Sequence, residues 1–155
     1  MSEAKQPDVA LPTAPSADAP TEMYNASCHC GAFVYSILAS PPLNDPATQV
    51  MECNCSICSR NGYLFIYVPN TRVTFQKGSI QDFRSYSFGS RKMGHYFCGT
   101  CGASCMARST DPTFFAGLTC VNVRMLENVD VKTLKLKFAD GKSYTPPDAA
   151  AAAAA

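Results

Sequence analysis

Residues 97–102, Phe-Cys-Gly-Thr-Cys-Gly (FCGTCG), decide how the rest of this chain is read. Two thiols two residues apart, each followed by glycine, form a zinc-knuckle pattern. The glycines let the backbone turn through positive φ, and the turn aims amides at the sulfurs. A knuckle supplies two ligands, whereas a structural zinc ion takes four in a tetrahedron. The missing pair must come from elsewhere in the chain.

Cys28-His29-Cys30, followed by Gly31, supplies it. In an extended segment a Cys-x-Cys pair puts both thiols on one side, because side chains alternate with period two. His29 then points away from the ion. Cys28, Cys30, Cys98 and Cys101 make a Cys₄ zinc site that closes a loop of about 70 residues, so metal binding should contribute directly to folding. Buried free cysteines that pack as small hydrophobes are the competing explanation. Two spaced pairs argue for metal.

A second concentration stands at residues 53–62, CNCSICSRNG, with Cys53, Cys55 and Cys58 inside six residues and no fourth ligand beside them. Three thiolates can hold zinc and leave one position for an exchangeable ligand, the arrangement of a catalytic site. They bring the centre to a net charge of −1, which suits a soft ligand such as a thiol better than it suits making hydroxide. Alternatively Cys105 or Cys120 closes the site into a second Cys₄ centre. Both readings stand at the level of sequence.

Composition sets the frame. The chain has 155 residues, 46% hydrophobic and 16% charged, enough for one domain with its own core. Thirteen basic and twelve acidic residues leave a net charge of +1, which argues against a nucleic-acid or membrane-surface protein. No apolar run approaches the ~20 residues needed to span a bilayer. The N-terminus lacks the apolar segment of a secretory signal, so a reducing, cytoplasmic setting is expected, with thiols free for metal. The nine cysteines are also an odd number, which a fully paired disulfide framework cannot use.

Residues 1–22 read as a flexible tail, 23–147 as the working domain and 148–155 as an alanine-rich tail. Within the domain, AFVYSILA (32–39), YLFIYVP (63–69) and RVTF (72–75) are strand signals. TLKLKFADGK puts Leu134, Leu136 and Phe138 on one face and Lys135 and Lys137 on the other, with a turn at Asp140-Gly141. CVNVRML alternates likewise, with Asn122 and Arg124 opposite Val121, Val123 and Met125. One short helix is expected around Ser56–Arg60. The class is mainly β.

SCHCG, CNCSICSRNG, YSFGSRKMGHYFCGTCG and VNVRMLENVDV with FADGKSY occur in that order. In these segments the chain resembles the glutathione-dependent formaldehyde-activating enzyme family, whose wider membership includes centromere protein V. The resemblance covers about residues 24–144. It implies a β-tent fold of small antiparallel sheets organised around zinc. It also implies two zinc ions per chain: a structural one on Cys28, Cys30, Cys98 and Cys101, and a catalytic one on Cys53, Cys55 and Cys58. The family's activity is a carbon–sulfur lyase or synthase reaction, the reversible addition of glutathione to formaldehyde. The chain departs from the family's usual residues at Cys105, commonly aliphatic, and in the closing turn FADGKS, commonly Phe-Asp-Gly-Arg.

Other residues complete the reading. Arg60 could pair with a glutathione carboxylate, or be an exposed loop arginine. His95 could carry a proton at the thiol-binding site, or be a satisfied structural histidine. Arg84, Arg91, Lys92 and Arg108, with Tyr86 and Tyr96, read as solvated surface, and Asn122 and Arg124 as polar pocket or solvent face. Two functional classes follow. One is a zinc lyase acting on glutathione adducts, with no nucleic acid or membrane partner. The other is a non-catalytic, zinc-stabilised binding module.

Overall fold

YLFIYVP forms a strand almost to the residue, and it lies near the middle of the larger of two sheets. The computed structural model describes residues 18–144; the rest of the expected N-terminal tail (1–17) and the alanine-rich tail (148–155) lie outside the described residues. In chain order the elements are β1 (Glu22–Ser27), β2 (Val34–Ala39), β3 (Val50–Cys53), α1 (Ser56–Asn61), β4 (Leu64–Pro69) and β5 (Val73–Lys77). They continue with β6 (Arg84–Tyr86), β7 (Met93–Phe97), β8 (Ser104–Ser109), β9 (Leu118–Asn122) and β10 (Leu136–Ala139). The small sheet has the order β1-β2-β5, and the large one β10-β3-β4-β9-β8-β7-β6. The mainly β class expected from sequence is what forms.

All pairings between these strands are antiparallel except one: β10 runs parallel to β3, with Leu136 opposite Val50 and Ala139 opposite Cys53. That pairing brings the C-terminal turn alongside the three-cysteine segment. The large sheet is buried on both faces at its centre, which is why β4 reads as a continuous apolar run rather than an alternating one. Leu64, Ile66 and Val68 join the main core with Tyr35, Ile37, Met106, Val121 and Val123. Phe65 turns the other way, into a second cluster with Cys58, Tyr63, Ala107 and Cys120. Fully burying side chains such as Ile37 and Val121 contributes about 1.5–3 kcal/mol each.

Two segments differ from expectation. CVNVRML is strand only to Asn122, after which Val123–Met125 form a 3₁₀ turn. The cause is local: the Asn122 side chain accepts from the Arg124 amide, competing with the ladder for the backbone. In TLKLKFADGK the strand starts at Leu136, and Leu136 and Phe138 are 44% and 63% exposed. Alternation marks a strand, but among the described residues β10 is an edge strand whose Leu136–Phe138 face is left exposed. Gly141–Ser143 then form a 3₁₀ turn and no second hairpin strand follows among the described residues.

Candidate metal centres

Both ends of the first cysteine cluster are knuckles of the same design. Cys98 donates its amide to the Ala103 carbonyl (3.0 Å) and receives the Thr100 amide on its sulfur (3.4 Å). Cys28 donates to the Phe33 carbonyl (3.1 Å) and receives the Phe33 amide on its sulfur (3.3 Å). Gly31 and Gly102 turn both loops with φ of 74° and 76°. The Cys28–Cys30 segment is therefore a tight turn, not the extended strand expected. The two thiols still converge.

The sulfurs of Cys28, Cys30, Cys98 and Cys101 all lie within 4.8 Å of one another. Cys30 stands 3.7 Å from Cys28 and 3.6 Å from Cys98, Sγ to Sγ. A tetrahedral zinc thiolate site, with Zn–S near 2.3 Å, has sulfur–sulfur edges of about 3.8 Å. The residues present fit the ion. Amides of Ala103 and Cys30 hold the Cys101 thiol down at about 6, so the loop favours the thiolate a metal requires. Cys28 and Cys30 follow β1 of the small sheet, and Cys98 and Cys101 link β7 to β8 of the large one, so the cluster ties the two sheets together.

The second cluster is local. β3 ends at Cys53, Cys55 caps the N-terminus of α1 in an extended conformation, and Cys58 lies in that helix, buried. Gly62, in the left-handed region, stops the helix and turns the chain into β4. The three sulfurs lie within 4.8 Å of one another, and among the described residues no further cysteine, histidine or carboxylate joins them. Hydrogen bonds with Cys53 and then Cys58 hold the Cys55 thiol down at about 2, and those with Cys53 and then Cys55 push the Cys58 thiol up. Three converging sulfurs are a donor set for a thiophilic ion.

Neither Cys105 nor Cys120 closes this site. Cys105 is buried near the other cluster and donates to the Ala103 carbonyl; burial, then the charge of Cys28, pushes its thiol up to about 12. Cys120 sits in the apolar cluster behind the three cysteines, where burial alone pushes it up to about 12. Burial thus favours the neutral thiol at both positions.

Sequence reasoning missed the side of the site built by Asn54 and Gly141. The Asn54 amide donates to the Ala139 carbonyl (3.1 Å), its side-chain nitrogen to Asp140 (2.7 Å), and its side-chain oxygen accepts from the Lys142 amide (2.8 Å). Asn54 thus clamps the 139–142 turn against the thiols. Gly141 packs so close that a Cβ there would collide with Cys53 Sγ and stand 3.1 Å from Cys55 Cβ. The signal was available: an asparagine between two ligand cysteines, and a glycine after Asp140.

The remaining candidates are placed as follows. Arg60 is exposed at the end of α1, two residues from Cys58 and so on roughly the opposite side of the helix, donating to the Ser56 carbonyl (2.8 Å). His29 is exposed beside the first cluster. His95, on β7, is only 7% exposed. It lies opposite Tyr86 on β6 and Ala107 on β8, and its ring stacks on Tyr63 (5.8 Å) and Phe88 (5.9 Å). Burial lowers its pKa, against a smaller opposing effect of the Cys55 charge, which keeps the imidazole neutral near pH 7. Arg108 is not solvated surface: it is half-buried and donates to Thr119 (2.8 Å). Asn122 is neither pocket nor solvent face; it bridges strands inside the sheet, accepting from the Leu64 amide and donating to the Ser104 carbonyl.

Comparison with known proteins agrees with this architecture. A solved protein of Rhodobacter sphaeroides is 26% identical, covers 73% of this chain and 99% of its own, and superposes with a TM-score of 0.57. The model of the family described as "Glutathione-dependent formaldehyde-activating enzyme" matches residues 23–139, a span that holds both cysteine clusters, β2 through β10 and all of β1 but its first residue. The chain belongs to the glutathione-dependent formaldehyde-activating enzyme family.

Proposed function

We propose that this protein is a zinc-dependent carbon–sulfur lyase, acting reversibly on adducts between glutathione, or a related thiol, and a carbonyl compound. The observation that carries the reading is the contrast between the clusters. One presents four converging sulfurs and the other three, with no fourth protein ligand among the described residues. Zinc on Cys53, Cys55 and Cys58 would accept the substrate sulfur as its fourth ligand and keep it a thiolate near neutral pH.

The chain's own residues define how a substrate arrives. The clamped turn lies against Cys53 and Cys55 and closes one side of the cluster; in this reading the adduct takes the side toward Tyr63 and His95. The exposed Lys142, next to Gly141 in that turn, is the candidate cation for a carboxylate of the tripeptide, whereas Arg60, on the far side of α1 from Cys58, is not placed for that role. The Cys₄ cluster touches no substrate in this scheme and holds the two sheets in register. Free thiols and a thiol substrate fit a reducing, cytoplasmic setting. Among the described residues no helix is long and apolar enough to cross a membrane.

The test is the visible spectrum of the cobalt(II)-substituted protein, titrated with reduced glutathione. A saturable change in the thiolate-to-cobalt bands is expected, because cobalt reports geometry and sulfur number where zinc is silent. Unchanged bands would mean that the three-cysteine centre takes no glutathione sulfur, and would favour a non-catalytic binding module.

A further inference from the structure

His95 has a feature that the lyase reading does not use. Its Nδ1 is fully buried and has no hydrogen-bond partner among the described residues. A buried polar atom without a partner costs about 1–3 kcal/mol, and most buried histidines are satisfied by a carbonyl, a carboxylate or water. The ring is also held in place. Tyr63 stacks on it at 5.8 Å with an interplanar angle of 26°, and Phe88 at 5.9 Å with 28°. Tyr63 in turn stacks on Phe65 at 4.3 Å, and both belong to the apolar cluster that contains Cys58 and packs against Cys53 and Cys55. Phe88 continues the row outward to Tyr86, which is 55% exposed. A rigidly stacked, neutral imidazole with one ring nitrogen unpaired is thus joined, through Tyr63, to the apolar cluster that packs against the three thiols.

We propose that His95 Nδ1 is the proton acceptor for the hydroxyl group of a hemithioacetal adduct whose sulfur is held at Cys53, Cys55 and Cys58. This rests on the lyase reading and adds to it the residue that moves the adduct's proton. When the C–S bond breaks, its electron pair stays on sulfur. The O–H bonding pair becomes the second bond of the released carbonyl, and the proton passes to Nδ1. In the synthetic direction the imidazolium returns that proton to the carbonyl oxygen as the thiolate attacks carbon. Every atom and charge is accounted for without a further reactant. The neutral ring requires the proton on Nε2, which leaves the Nδ1 lone pair available. An adduct without a hydroxyl on the sulfur-bearing carbon, such as a thioether, offers Nδ1 nothing to accept and would not be cleaved by this route.

His95→Phe keeps an aromatic ring between Tyr63 and Phe88 but has no nitrogen, so it separates packing from proton transfer. In the zinc-loaded protein the rate of C–S cleavage of S-hydroxymethylglutathione is expected to fall about 100-fold or more, the usual worth of a positioned acid or base. Glutathione affinity, read from the cobalt bands, should stay within about twofold, because binding and proton transfer are separate steps. Nitrogen NMR of the native imidazole should show Nδ1 unprotonated in the metal-free protein, and shifted when the adduct is added to the zinc-loaded one. Retention of cleavage by His95→Phe within about threefold of native would overturn the proposal, since a general base cannot be lost so cheaply. So would an Nδ1 that is already protonated, or one that the bound adduct leaves unmoved. Failure of the native protein to bind glutathione or cleave the adduct would instead overturn the lyase reading itself.

Discussion

At the scale of single residues, the part of the site most sensitive to change is Gly141, which carries no functional group. A Cβ at this position would collide with Cys53 Sγ, so Gly141→Ala must either push the 139–142 turn outward or displace that sulfur. Overpacking of this kind costs about 1–3 kcal/mol, or roughly 5- to 150-fold in an equilibrium constant. The expected result is weaker metal binding at the three-cysteine centre, measured by competition with a chromophoric chelator, while the Cys₄ centre keeps its ion. Asn54→Ala acts on the same turn from the other side, removing the bonds to Asp140 and to the Lys142 amide. Each is worth about 0.5–1.5 kcal/mol. Its phenotype should therefore resemble that of Gly141→Ala in kind and be milder in size. Equal loss of both metals in either variant would show that the turn supports the whole fold rather than one site.

At the scale of elements, the division between the clusters follows from what each one joins. Cys28 and Cys30 leave β1 and Cys98 and Cys101 leave β7, so the four-sulfur cluster fastens a three-stranded sheet to a seven-stranded one. Cys53, Cys55 and Cys58 span one strand end and one short helix whose neighbours are already fixed by pairing of β3 with β4 and β10. Cys98→Ser should accordingly abolish cooperative folding, seen as loss of a thermal transition by circular dichroism. Cys55→Ser should leave the fold largely intact while abolishing lyase activity. Equal unfolding by both would remove the distinction between a structural and a catalytic centre. The same elements explain what the sequence could and could not reveal. Both clusters and β4 were legible, because ligand spacing and a doubly buried apolar run are local patterns. β10 was legible as a strand but not as an edge strand, because alternation does not say which face is covered. The parallel partnership of β10 with β3 joins residues about 86 positions apart, and no local pattern encodes it. β6, β7 and β8 carry Ser, Gly, His, Cys and Arg in place of a β-branched run, so their pairing is set by the surrounding sheet.

For the whole molecule, the loop each metal closes predicts the order in which the ions can be withdrawn. Cys30 and Cys98 are separated by 68 residues. Bringing such distant segments together in an unfolded chain costs about 4 kcal/mol by the logarithmic loop law. The three-thiol segment spans six residues, and the same law gives only about 1.5 kcal/mol. The unfolded chain can therefore still bind metal through Cys53, Cys55 and Cys58, which reduces what that ion contributes to folding, whereas the Cys₄ site exists only once the sheets have docked. In protein loaded with zinc at both clusters, stepwise chelation should release one equivalent with little change in melting temperature. Release of the second should coincide with loss of the near-ultraviolet signal and of the thermal transition. Adding glutathione should protect the first-released ion and leave the second unaffected if, as proposed, the three-cysteine centre takes its sulfur as a fourth ligand. Metal content by elemental analysis, followed beside circular dichroism through the same titration, decides the matter. Simultaneous release of both ions with unfolding would mean that the two centres are one cooperative unit and that the short-range cluster is as much a part of the scaffold as the long-range one.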